Sequence, residues 1–379
     1  MTDYSSIPSP CFVLEETRFR KNLQLIADIS KAADVEFILA FKAFSMWSAF
    51  PIVREYVKGA TASSVFEAQL CFEEMKSLAH TYSPVYSEKD IDKILEYSSH
   101  ITFNSVEQVK RFMPKINSAD HKISCGLRVN PEYSEVETAL YNPCSPGSRL
   151  GVTADQLKDG LPDGIEGLHF HALCESNSFD LKNTLNALEM RFGHLFGRIK
   201  WINMGGGHLV SHKDYDTNHL IETLKDFKAR TGLKVIMEPG SAFAWETGFL
   251  KTTVEDIVQN KGIKTAIIDA SFTCHMPDCL EMPYKPKIRG AYHEPVKGKP
   301  TYRIGGNSCL AGDFMGDWSF DKPLMIGDTL IFEDMIHYTM VKTTMFNGVP
   351  HPSIGIIHND ENFELIRTFN YQDFKSRLS

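Results

Sequence analysis

Three things are missing from this sequence: a CxxC pair among its eight cysteines, a surplus of positive charge, and an uncharged apolar run long enough to span a bilayer. Without paired cysteines there is no signature of a structural zinc site or a redox dithiol, and a chain of 379 residues needs no disulfide staples, so reduced thiols are expected. With 40 Lys and Arg against 48 Asp and Glu, the net charge is -8 and the pI about 6.0, which removes the basic footprint that phosphate-backbone binding requires. No nucleic-acid partner is expected, and no membrane. The first ten residues also lack the basic start and apolar run of a secretory signal, so a cytoplasmic location is expected.

What remains is ordinary globular composition, 42% hydrophobic and 23% charged, with enough apolar material for a large core and a length that suggests two domains. From about residue 35 to 240, short apolar runs alternate with segments of helical period, the pattern of parallel strands and crossover helices. Eight runs are readable, at 35–41, 59–63, 82–86, 100–104, 122–130, 165–171, 200–204 and 233–238. Between the sixth and seventh, over 181–199, Leu185, Leu188, Phe192, Leu195 and Phe196 recur on one helical face. Eight such units close an α/β (β/α)8 TIM barrel, whose chemistry sits where strands end and loops begin. Beyond about 245 the texture becomes short alternating runs with many Gly and Pro, for example 329–333 and 336–343, which predicts a β-rich C-terminal domain of sandwich or barrel type. Residues 8–14 have strand-like composition and are candidates to pair with that sheet. The expected division is 30–245 for the barrel, and 1–29 plus 246–379 for the β-rich domain.

Several strand ends carry chemistry. Lys42 follows the first run directly; desolvation there disfavours the ammonium and frees the amine to attack an aldehyde cofactor, although most lysines at such positions are solvated. Gly205, Gly206 and Gly207 follow the seventh run, where barrels often bind phosphate, or they form only a tight turn. Glu238, before Pro239 and Gly240, puts a carboxylate at the mouth, able to hold a pyridine nitrogen protonated; a plain strand-terminal turn is the alternative. His169 and His171 alternate on one strand and face one side, which suits a paired metal site, a ring stacked on a cofactor, or satisfied core histidines. No acidic cluster accompanies them at metal-like spacing, so no metal is expected. In the second domain a small, polar loop surrounds Cys309, with Asp313 nearby; a neutral thiol there can donate a proton to a carbanion, whereas most cysteines are inert.

Taken in order, the strand-terminal Lys, the His ending the sixth strand, the glycine triplet, Glu-Pro-Gly, the Cys with a nearby Asp and the late Tyr338 resemble the fold-type III pyridoxal-phosphate decarboxylases, the alanine-racemase-like barrel family. The stretches 142–151, 271–284 and 334–342 are similar to the branch that acts on carboxynorspermidine or carboxyspermidine in polyamine biosynthesis. The resemblance implies pyridoxal 5'-phosphate as cofactor, a polyamine precursor as small-molecule substrate, and a homodimer whose active sites draw on both subunits. It implies Lys42 as the covalent attachment point, His171 as the ring-stacking group, Glu238 as the pyridinium partner, and Gly206, Gly207 and Tyr338 on the phosphate. Cys309 from the neighbouring subunit would protonate the product carbon, Asp313 would anchor a distal ammonium, and His275, Arg149 and Glu281 would contact substrate or cofactor. Two positions depart from the family: Ser241 stands where an Arg commonly follows Glu-Pro-Gly, and Cys174 where a phosphate-binding Ser is usual.

Competing readings are a diaminopimelate or other basic amino-acid decarboxylase, a catalytically inactive binding protein on the same fold, and a metal-dependent barrel hydrolase using His169 and His171. The intact Lys42, Glu238 and Cys309 weigh against the second.

Overall fold

The apolar runs of the first half become strands buried on both faces, as parallel strands covered by helices must be. In the computed structural model, which describes residues 4–379, they are Glu36–Phe37 with Leu39–Ala40, then Ala60–Ala62, Ala79–Tyr82, Ser98–Phe103, Ser124–Arg128, Ile165–His169, Trp201–Asn203 and Lys234–Met237. All pair in parallel with their sequence neighbours. The circle closes through the interrupted first strand, in which Glu36–Phe37 pairs with the last strand while Leu39–Ala40 pairs with the second. Ile38 is the switch, its N–H bonding Met237 O at 2.9 Å just before Leu39 N–H turns to Gly59 O.

The barrel floor is filled by Trp201, and two glycines make room for it. A Cβ on Gly126 or Gly167 would stand 2.4 or 2.1 Å from the indole, so neither position accepts a side chain. The indole N–H is satisfied by Ser124 Oγ at 2.8 Å.

Crossover helices follow the amphipathic pattern. Ser178–Phe192 starts on an Asn177 and Asp180 capping box and buries Leu181, Leu185, Leu188 and Phe192. The helical face read over 181–199 is buried throughout, although the α-helix stops at Phe192 and Gly193–Arg198 continues as a 3-10 turn. Thr217–Thr231 is capped by Asp216 and ends at Gly232, whose φ of +69° favours glycine. The fifth crossover departs from the repeat: among the described residues it holds only the 3-10 turns Ala139–Tyr141 and Ala154–Leu157. Pro131, Pro143, Pro146, Gly147 and Gly151 interrupt any helical run there.

The third run needs correction, since the strand is Ala79–Tyr82 rather than 82–86. Pro84 cannot donate to a ladder and ends it. Tyr86 is apolar filling beyond the strand, its hydroxyl accepting from Ser83 N–H at 3.1 Å and donating to Thr102 O at 2.9 Å.

The chain folds as two compact units, the barrel, Asn22–Phe243, and a second unit that joins residues 4–21 to Ala244–Ser379. The second unit is an eight-stranded mixed sheet ordered Phe314–Ser319, Thr301–Gly305, Ile263–Ile268, Gly248–Asn260, Cys11–Glu15, Ser353–Ile357 and Phe363–Arg367, with Thr329–Glu333 also on Gly248–Asn260. Cys11–Glu15 does join this sheet, antiparallel to Gly248–Lys251 and parallel to Ser353–Ile357. The strand expected at 336–343 is absent. Asp334 and Tyr338 adopt φ of +62° and +45°, which breaks an extended run, and Met340–Lys342 is a 3-10 turn. Among the described residues no helix is long and apolar enough to cross a membrane.

Candidate active site

In the barrel unit, four strand ends converge on one amine. Lys42 lies just past Leu39–Ala40, where Phe41 N–H still bonds Thr61 O and the chain turns back through Ala43 and Phe44 onto Ala40 O. Its side chain is exposed by accessible area yet densely surrounded by protein atoms. Desolvation by that surround, only partly offset by Glu238, holds the ammonium below the ordinary lysine value. A neutral amine is the nucleophilic form.

Lys42 Nζ stands 3.4 Å from His171 Nε2. His171 Nδ1 accepts the Gly206 N–H at 2.9 Å, so in the neutral ring the proton sits on Nε2, facing the amine lone pair. Burial, with Lys42 and Arg128 beside it, pushes this imidazole well below its usual range, and the neutral tautomer is the resting form.

The glycine turn is held by its neighbours. A Cβ on Gly205 would lie 2.5 Å from Phe170 O, one on Gly206 2.3 Å from Glu238 O, and one on Gly207 2.1 Å from Leu173 O; Gly205 and Gly207 also have φ of +68° and +88°. Gly205 N–H donates to Asn203 Oδ1 at 2.9 Å and Gly206 N–H to His171, so two of the three amides already have partners. Asn203 uses its other end on Glu238, Nδ2 to Oε1 at 2.6 Å, tying the turn to the carboxylate. Desolvation raises the Glu238 pKa, against hydrogen bonds from Asn203 and Thr61 and the nearby Lys42 and Arg128 charges.

Three contributors were not singled out from sequence. Arg128 ends the fifth strand, 4% exposed, donating from Nη2 to His171 O at 3.1 Å and lying 4.7 Å over the Tyr82 ring. Asn203 bridges as described. Glu67, whose Oε2 accepts Ser63 N–H at 2.6 Å, is raised by burial and contributes charge near Lys42. The signal for the first two was a polar side chain inside an otherwise apolar strand. Arg149 is exposed on the fifth crossover, where its carbonyl accepts from Asn104 Nδ2 at 2.8 Å. Among the described residues no three His, Cys, Asp or Glu side chains gather so as to hold a metal ion.

The remaining sequence candidates lie in the sheet unit. Asp313 is buried at 5% exposure; Oδ1 accepts Thr273 N–H and Oδ2 accepts Ser308 N–H, both at 3.1 Å. Cys309 is exposed on the same loop, its N–H held by Asn347 Oδ1. His275 is fully buried, takes Ser271 N–H on Nδ1 at 3.1 Å, and is pushed by burial to a pKa of about 4. Glu281 and Asp278 share Lys342, so Glu281 is already ion-paired. Tyr338 is half-buried next to His337.

A pyridine aldehyde bearing a phosphate fits the barrel set: an amine of depressed basicity, an imidazole with its proton placed, a carboxylate between donors, and a turn that only glycine can form. Ser241, which opens the short helix Ser241–Ala244, brings no charge to it.

Comparison with known proteins agrees. Residues 12–336 match the family model described as pyridoxal-dependent decarboxylase, C-terminal sheet domain. The chain is 50% identical to a carboxyaminopropylagmatine decarboxylase of Synechocystis sp., over 99% of this chain and 96% of the relative. It is 41% identical to a carboxynorspermidine/carboxyspermidine decarboxylase of Campylobacter jejuni, over 99% of each. The crystal structure of carboxynorspermidine decarboxylase from Campylobacter jejuni, complexed with norspermidine, superposes with a TM-score of 0.91 at 39% identity, covering 98% of this chain and 100% of that one.

Proposed function

The chain belongs to the family of pyridoxal-dependent decarboxylases, and from that premise we propose that it removes the carboxyl group from carboxynorspermidine or carboxyspermidine, releasing norspermidine or spermidine. The observation that carries the reading is the meeting of Lys42, His171, Glu238 and the glycine turn in one barrel, in a chain whose relatives match it over almost its full length.

When bound, pyridoxal 5'-phosphate supplies an electron sink for the pair left behind as carbon dioxide departs. Lys42 holds the cofactor through its amine, whose protonated form desolvation disfavours. His171 presents a neutral, oriented ring beside it, and Glu238 supplies negative charge for the pyridine nitrogen. Asn203 fixes the angle between that carboxylate and the turn. Gly206, Gly207 and Tyr338 serve the phosphate, with Gly207 the member of the triplet best able to offer its amide. Cys309 Sγ, supplied by the second subunit of a homodimer, delivers the proton to the product carbon; Asp313 receives a distal ammonium, with Arg149, His275 and Glu281 as further contacts.

A second reading of the substrate is favoured by the higher identity to the Synechocystis relative: carboxyaminopropylagmatine, whose distal end is a guanidinium. Both readings share the reaction and differ in the group presented to the carboxylates. Carbon dioxide release from carboxynorspermidine, carboxyspermidine, carboxyaminopropylagmatine and diaminopimelate, each with and without added cofactor, distinguishes them. The highest kcat/KM is expected on a carboxylated triamine; fastest turnover of diaminopimelate would overturn the assignment while leaving the chemistry intact.

A further inference from the structure

His169 has no part in the chemistry above, yet it is one of the most buried polar side chains of the barrel, 2% exposed. It closes the sixth strand, Ile165–His169, two residues before His171, which lies past the strand's end. Among the described residues neither ring nitrogen has a hydrogen-bond partner. A leucine or phenylalanine would fill such a position without an unsatisfied donor and acceptor, so packing alone does not account for an imidazole. Its Nε2 lies 3.8 Å from Glu238 Oε2, the oxygen opposite the one that Asn203 holds. The Tyr82 ring meets it edge-on at 5.3 Å and limits its rotation.

We propose that His169 is a positioning residue for Glu238: while Asn203 donates to Oε1, the Nε2–H edge of the imidazole, 3.8 Å from Oε2 and so outside hydrogen-bond range, faces the second oxygen as a dipole and keeps the carboxylate oriented and in the charged form. The proposal rests on the reading of Glu238 as the pyridine partner. Desolvation raises the Glu238 pKa, and the groups that donate to the carboxylate favour its charged form. The charged and titratable groups facing this pair are Lys42, Tyr82, Arg128, His171 and His80. Burial, together with Arg128 and Lys42, keeps His169 neutral, so it offers an N–H dipole and not a competing cation. A neutral donor stabilises the carboxylate without withdrawing it from the pyridine nitrogen.

The test is a double-mutant cycle on the full-length protein, stripped of cofactor and titrated with pyridoxal 5'-phosphate, reading the dissociation constant and the absorbance of the bound cofactor alongside thermal unfolding of the apoprotein. His169→Leu and His169→Phe remove the donor; His169→Gln keeps one. Both apolar variants are expected to weaken cofactor binding about tenfold, within the range of coupling between contacting residues, with an apoprotein melting point equal to or above wild type. His169→Gln should stay within about threefold of wild type. In a Glu238→Gln background the apolar variants should add nothing. Wild-type affinity in both apolar variants, or the same loss in the Glu238→Gln background, overturns the proposal while the role of Glu238 stands. If Glu238→Gln itself binds the cofactor as wild type does, the role of Glu238 falls and the proposal falls with it.

Discussion

The interior of the barrel and the surface pairs of the sheet unit treat their ionisable side chains in opposite ways. In the barrel, desolvation prevails: Lys42, His169 and His171 are driven toward the neutral form, and Glu67 and Glu238 are pushed up. On the sheet unit's surface, pairing prevails. His358 is raised by hydrogen bonds to Glu16 and Glu364, each at 2.8 Å, and Lys342 is raised by Asp278 and Glu281 although burial opposes it. Where the sheet unit buries such groups, at Asp269, His275, Cys279, Tyr284 and His351, desolvation prevails there too. Inside a closed barrel the loss of water disfavours the charged form of the side chains that converge there, which yields a nucleophilic amine and an oriented imidazole. Side chains on the loops of an open sheet keep water and partners, and stay charged.

The comparison breaks most sharply at Lys42. Lys42→Ala is expected to lower kcat by at least about a thousandfold, since the nucleophile has no substitute, and to abolish covalent retention of the cofactor after borohydride reduction, read by intact mass. Retained activity sinks the proposed chemistry.

Next comes the turn that joins the barrel's two acceptors. Gly207→Ala forces a Cβ to within 2.1 Å of Leu173 O at a φ of +88°. A loss of about 3 kcal/mol in urea unfolding is expected from overpacking combined with backbone strain; an unchanged midpoint would mean that the turn yields.

Asn203→Asp sharpens the electrostatic side of the contrast. It sets a carboxylate 2.6 Å from Glu238 Oε1, and two carboxylates at that distance share one proton. The acid limb of kcat/KM should then move to higher pH by about one unit, because Glu238, already raised, charges later. A pH profile superimposable on wild type would contradict this.

The smallest effect belongs to the sheet unit. The folded-state pKa of His358 is raised, so its contribution is complete below the unfolded histidine value near 6.5 and fades as pH rises through the folded value. Glu16 is lowered by Arg20 and His358 against the opposing desolvation, so its share is present above the unfolded carboxylate value near 4.3 and is lost on acidification through the depressed one. His358→Gln should therefore cost stability mainly between about pH 4.5 and 6.5, by no more than about 1 kcal/mol once solvent screening of this partly exposed pair is counted. Chemical denaturation at pH 5.5 and 8.5 measures it; equal losses at both would refute the assignment to charge.

Legibility from sequence followed the same division. Lys42, His171, Glu238 and the glycine triplet stood out because each ends an apolar run, and a strand that stops at a polar residue is visible without a partner. Arg128 and Asn203 did not stand out, because a polar residue within a strand reads the same whether it faces a site or a satisfied core. Residues 82–86 and 336–343 misread for a related reason: aromatic and β-branched composition reports burial, and in the first case the burial is that of Tyr86 packed beyond Pro84, in the second that of a loop bent by Asp334 and Tyr338.

From the sequence alone came the alternation of strands and helices and the order in which reactive groups reach the barrel mouth, since both are local consequences of chain geometry and residue patterning. The folded structure alone settled which nitrogen of His171 carries the proton, which glycines admit no side chain, that Asn203 joins the turn to Glu238, and that His169 Nε2 lies 3.8 Å from the carboxylate. Those depend on strand register around a closed ring, where groups tens of residues apart come within a few ångströms in a medium too dry to screen them.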